Sequence, residues 1–165
     1  MTKLFFFLAI AMTSSIVSFG QHAGMTFQAA EERGIKIGYL DSIYKSAIHA
    51  DASQAVFKTV SEQEAMGQAY VNLVKDFGKF LKENNFKWDE PIRCFNRIYF
   101  NSDGTIDYFL YKFISNESEQ GNQLSQEKER EFDRLLNLFI KDHHILMTAN
   151  TKFAQCSPVT YMPSK

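Results

Sequence analysis

The chain has little of what usually betrays a chemistry. Its 165 residues include two cysteines, three prolines and one tryptophan. Two cysteines cannot supply a disulfide-dense scaffold, and without a nearby histidine signature they do not form a structural zinc site. So few prolines leave no polyproline spacer. Lysine plus arginine (18) nearly balances aspartate plus glutamate (19). That balance gives no positive field for a phosphate backbone, so nucleic acid is not expected as a partner. The chain has no Gly-x-Ser-x-Gly elbow, no His-Glu-x-x-His and no phosphate loop, the signatures of many hydrolases, zinc proteases and nucleotide-binding enzymes. No motif calls for a cofactor.

What is present begins at the N-terminus. Lys3 is followed by the uncharged run Leu4 to Met12, and Ser18-Phe19-Gly20 places small residues before Gln21. That order is the layout of a signal peptide over residues 1–20, and its apolar core is too short to span a bilayer. Lys3 is the only charge removed with it, which leaves residues 21–165 with a formal charge near −2. No later run is long enough for a membrane span. The expectation is a single exported domain over 21–165, periplasmic or secreted, long enough to bury its own core.

An oxidising compartment gives Cys94 and Cys156 a simple fate, one disulfide. The long loop it would close corresponds to about 4 kcal/mol in the chain-entropy account. Aromatic residues make up 15% of the chain, with 16 phenylalanines. They sit mostly in segments that read as strand or helix and therefore point to a core.

Residues 21–60 read as an irregular or helical lead-in. Thr26 could cap a short helix that Gly34 ends, and residues 41–48 suit helix or strand alike. Residues 61–85 read as a long helix. Met66, Ala69, Tyr70, Leu73, Val74, Phe77, Phe80 and Leu81 make one apolar stripe, and Ser61 with Glu64 matches a capping box. Gly67 and Gly78 weaken it, so it depends on packing. Residues 92–100 and 106–114 are rich in aromatic and β-branched residues and predict a hairpin around Asn101 to Thr105. Asp103 and Gly104 form the structural turn, with Gly104 at positive φ. In that hairpin Phe100 would face Ile106, Ile98 would face Tyr108, and Arg97 would reach Asp107 diagonally. A polar loop over 115–124 leads to a helix capped by Ser125 and running to about Asp142. A last strand over 152–156 runs into Pro158, so it would either end there or lie at a sheet edge. The fold class is α+β, a β-β-α-β sheet packed against the long helix.

The order hairpin, helix, strand, with Asn-Arg-Ile-Tyr-Phe-Asn-Ser-Asp-Gly-Thr-Ile-Asp at its centre, resembles the C-terminal domain of TonB-type energy transducers over residues 92–163. The resemblance implies that fold and a periplasmic binding role, with the last strand as a docking edge for another envelope protein. The chain departs from the family in lacking a proline-rich spacer and a retained anchor, so energy transduction is not implied. It is also similar to small exported Bacteroidetes proteins with a phenylalanine-rich leader ending in glutamine.

Two function classes follow. The first is a non-enzymatic binding or scaffolding module that uses the sheet edge, or a groove between the long helix and the sheet. The second is a small periplasmic hydrolase or thiol enzyme using Cys94 or Cys156 with His143 or His144. No catalytic or metal residue is assigned. The adjacent pair His143-His144 is the nearest approach to a metal site, although neighbouring residues rarely aim at one ion.

Overall fold

The computed structural model describes residues 22–114 and 124–163. The leader expected over 1–20 and nearly all of the polar loop expected over 115–124 lie outside the described residues. Among the described residues there are five strands in one mixed sheet and four α-helices. No helix there is long and apolar enough to cross a membrane.

Strand β1 (Ala23–Thr26) runs into helix α1 (Phe27–Glu32). The Thr26 hydroxyl caps that helix by accepting from the Ala29 N–H at 3.0 Å, and Gly34 leaves it at φ 77°. Helix α2 (Ile37–Ile43) follows, then the two-residue strand β2 (Lys45–Ser46). Asp41 lies inside α2. Helix α3 (Val60–Glu83) is the long one. Its capping box is Thr59 with Glu62, two residues earlier than expected. Both pairs have the required spacing. Thr59 becomes the cap because its own backbone is extended while Ser61 is already helical.

Strands β3 (Ile92–Phe100) and β4 (Ile106–Ile114) form the hairpin. Phe100 pairs with Ile106, but a bulge at Tyr99/Phe100 then shifts the register, so Ile98 faces Phe109 and Tyr99 faces Tyr108. The extra residue is Asp107. The bulge re-aims its carboxylate, as such insertions do. It bonds Tyr44 and Lys152 instead of Arg97, and Arg97 pairs with Asp41. Helix α4 (Gln126–Asp142) is capped by Ser125, and strand β5 (Phe153–Tyr161) completes the sheet. β5 continues through Pro158, and from Gln155 onward it lies at the sheet edge, the second of the two expected outcomes.

The strand order is β1-β4-β3-β5-β2. β1 lies parallel to β4, β2 lies parallel to β5, and the two inner pairings are antiparallel. Strands β1 and β2, absent from the sequence reading, widen the sheet on both flanks. Helices α3 and α4 cover one face. Phe77 packs there at 4.9 to 6.4 Å from the rings of Phe109, Phe132, Phe139 and Tyr161. Such aromatic pairs add to the area each ring buries. Helices α1 and α2 cover part of the other face through Ala30, Leu40, Tyr44, Tyr99 and Leu110.

Candidate functional site

The two flanks of the sheet are finished differently. On the β1 flank, the Asn137 side chain of α4 accepts from the Gly24 N–H at 3.0 Å and donates to the Gly24 carbonyl at 2.8 Å. One amide side chain thus stands in for a neighbouring strand. On the other flank, β2 pairs only with Phe153 and Ala154. The rest of β5, Gln155 to Tyr161, pairs with β3 on one side alone.

The bonds of the β2 segment set the direction of that free row. Lys45 N–H and Ala47 N–H donate to the carbonyls of Lys152 and Ala154 at 3.1 and 2.8 Å. Backbone groups of a strand alternate sides, so Cys156, Pro158 and Thr160 also face outward. Pro158 has no N–H, and on this row it removes no bond to β3, which is why the strand passes through it. The Gln155 side chain donates to the Cys156 carbonyl at 3.1 Å. The Cys156 and Thr160 N–H groups and the Pro158 and Thr160 carbonyls have no partner among the described residues.

Beside this edge lies a groove of about 370 Å³ between α3 and the end of β5. Val74, Gly78, Val159 and Met162 line it, with Trp88 and Tyr161 stacked at 5.1 Å. Its only charged lining residues are Lys75 and Lys82. A Cβ built on Gly78 meets nothing within 4 Å, as at Gly34 and Gly38. No neighbour demands a glycine at this point of α3. What its bare backbone does is widen the groove.

The sequence-derived site residues are spread across the molecule. Cys94 and Cys156 are free thiols, which corrects the expected disulfide. Cys94 pairs in register with Val159, and Cys156 pairs with Arg97. Three residues of offset along β5 is about 10 Å, beyond the reach of a disulfide. An odd offset also sends the two side chains to opposite faces. Cys94 is buried under α3, where burial pushes its thiol up to about 12 and Sγ donates to Asn96 Oδ1 at 3.1 Å. Cys156 is exposed beside a smaller concavity, about 230 Å³, shared with Asp41, Tyr44 and Arg97.

His143 is fixed at the end of α4, with Nδ1 bonded to the Phe139 carbonyl at 2.8 Å and its ring stacked on Phe139 at 3.9 Å. His144 bridges to Thr105 at the hairpin turn. Neither histidine is hydrogen-bonded to a cysteine, and no group of three potential metal ligands comes together, among the described residues. At the turn, Gly104 has φ 89°, and Asp103 Oδ1 accepts from the Thr105 N–H at 3.0 Å and from its hydroxyl at 2.7 Å. Those bonds hold the Asp103 carboxyl below its ordinary range.

Two clusters of a cation, a carboxylate and a tyrosine escaped the sequence reading. In one, Asp107 Oδ2 accepts from both Tyr44 and Lys152 at 2.7 Å. In the other, Asp41 takes Arg97 and the Tyr99 hydroxyl. Both tie α2 or its end to the sheet. No protein-family model, curated protein or solved structure matches the chain.

Proposed function

We propose that this is an exported, non-enzymatic binding module that takes an extended segment of another envelope protein along β5. One observation carries the reading: the outward N–H groups of Cys156 and Thr160 and the outward carbonyls of Pro158 and Thr160 have no partner among the described residues, on a strand beside an apolar groove. Main-chain bonds to a sheet edge supply affinity in strand addition, and pockets for alternate side chains supply choice. The succession β3, β4, α4, β5 supports the resemblance to the TonB C-terminal domain, whose last strand is such an edge. The layout of residues 1–20 supports export. The thiol-enzyme reading gains nothing comparable, because Cys94 is buried, the His143 ring is bonded to the Phe139 carbonyl, and His144 sits at the hairpin turn beside Thr105.

Hydrogen exchange tests the edge. In the purified chain the Cys156 and Thr160 amides exchange quickly, and synthetic peptides that add as a strand slow both. Thr160→Pro removes one of the two outward donors and abolishes that protection. Unchanged binding by Thr160→Pro, or fast exchange with every extended peptide, overturns the reading. Intact-mass analysis of material from native cells tests export: the expected mass begins at Gln21 or within a residue or two of it, and Met1 retained would refute it.

A further inference from the structure

The groove beside β5 has features that the bare edge does not require, and they specify what lies along it. A glycine in the middle of a long helix weakens that helix relative to alanine. Gly78 has no neighbour that would meet a Cβ. Close approach by a ligand is one of the standing uses of glycine. Gly78 lies between Lys75 and Lys82, which are seven residues, two turns or about 10.5 Å apart on α3. They are the only charged residues lining the groove, and both are exposed. Apart from Thr160 the surface between them is apolar, with Val74, Val159 and Met162 at the rim and Trp88 and Tyr161 behind.

An extended segment on β5 turns every second side chain towards α3, at steps of about 6.8 Å. Three such positions match the groove: an apolar residue opposite Gly78, flanked by two that reach the lysines. We infer that the groove selects an acidic extended segment of the pattern acid-x-apolar-x-acid, with the apolar side chain seated on the bare backbone at Gly78 and the two carboxylates held by Lys75 and Lys82. This rests on β5 being the docking edge and names the chemistry of its partner. Residues at the x positions fall on the other face, beside Cys156, Pro158 and Thr160. They meet only the smaller concavity at Cys156, about 230 Å³, and carry less of the selection.

Trp88 is the only tryptophan in the chain and lines the groove, so its fluorescence reports occupancy directly. The probes are nine-residue synthetic peptides whose three central α3-facing positions read Asp, Leu, Asp, or Asn, Leu, Asn, or Lys, Leu, Lys. The acidic peptide is expected to shift Trp88 emission and to bind at least tenfold more tightly than the dicationic one, with the neutral peptide between. Raising the salt concentration should narrow the difference. Lys75→Glu with Lys82→Glu should reverse the order. Gly78→Leu should fill the groove and abolish the emission shift while circular dichroism shows the fold retained, and Gly78→Ala should weaken binding to a lesser degree. If all three peptides slow the Cys156 and Thr160 amides equally and leave Trp88 unmoved, the selectivity is overturned and the docking edge stands. If none slows those amides, both are overturned.

Discussion

Asn137 pairs with Gly24 as a neighbouring strand would, through a two-way exchange of hydrogen bonds at 3.0 and 2.8 Å. The approach is close enough that a Cβ on Gly24 would come within 2.6 Å of the Leu136 side chain, which is fully buried. Gly24→Ala is therefore expected to cost about 1–3 kcal/mol by overpacking. Asn137→Ala is expected to cost about 1–2 kcal/mol, because it strips two hydrogen bonds from the backbone of an edge strand. Urea denaturation of both variants checks this. A parent-like midpoint for Gly24→Ala would mean that β1 does not sit against α4.

The hairpin turn makes a similar demand. Gly104 combines a φ of 89° with a backbone carbonyl, that of Ile145, only 2.4 Å from where a Cβ would lie. Gly104→Val adds left-handed strain to a clash with main chain that cannot step aside. A loss of at least about 3 kcal/mol is expected, read as a lowered melting temperature or as failure to accumulate folded protein.

The two thiols should behave as strangers. In native protein a disulfide reagent is expected to modify Cys156 quickly. Cys94 should react only after unfolding, since its thiol is both covered and pushed up to about 12. Cys94→Ala should cost about 1–2 kcal/mol from lost packing, and Cys156→Ser less than about 0.5 kcal/mol. Their effects should add, because they lie on opposite faces of the sheet. Equal, non-additive losses would show that the sulfurs are bonded after all.

Asp107 depends on Lys152. Its side chain is only 7% exposed, while that of Lys152 is 39% exposed. Lys152→Met leaves a buried carboxylate with the Tyr44 hydroxyl as its remaining donor. Removing one partner of a fully buried pair costs about 3–5 kcal/mol. The exposed ammonium reduces the figure here to about 2 kcal/mol. Lys152→Met with Asp107→Asn should recover much of the loss, measured as a double-mutant cycle.

Asp133 gives a pH dependence of definite sign. Burial raises its carboxyl above the ordinary range, and the 2.6 Å bond from the Tyr111 hydroxyl opposes that rise without cancelling it. A raised carboxyl holds its proton more tightly in the folded chain. Its contribution to stability is therefore fully present below the unfolded value, near 3.9, and is lost as pH rises through the folded one. Asp133→Asn keeps an acceptor for Tyr111 and removes that dependence. The variant should gain on the parent at pH 7, and the gain should vanish by pH 3.5. A gain that is larger at pH 3.5 would reverse the assignment.

The parts of the fold legible in the sequence are those whose signal is local and repeated. Phe77 and Leu81 repeat the period of Met66 and Tyr70, so α3 declares itself across many turns. The hairpin declares itself through two aromatic strands and a glycine that must turn. Strand β1 gives no such sign. It is four residues long and contains Gly24, and its partners, such as Tyr108, are far away in the chain. The expected disulfide failed because counting cysteines says nothing about faces, and the register that separates Cys94 from Cys156 is a property of the assembled sheet. Gly78, Lys75 and Lys82 read individually as a helix weakness and a solvated surface. They become a groove only with Val159 and Tyr161 of β5 alongside them.

Asn137 has one more effect, on how many copies of this molecule can join. A sheet open on both flanks can recruit a neighbour on each side and lengthen without limit. With β1 sealed, two copies meeting flank to flank would use up each other's spare groups, and growth would halt at a pair. Crowding then carries little danger of fibre formation for as long as that amide stays in place.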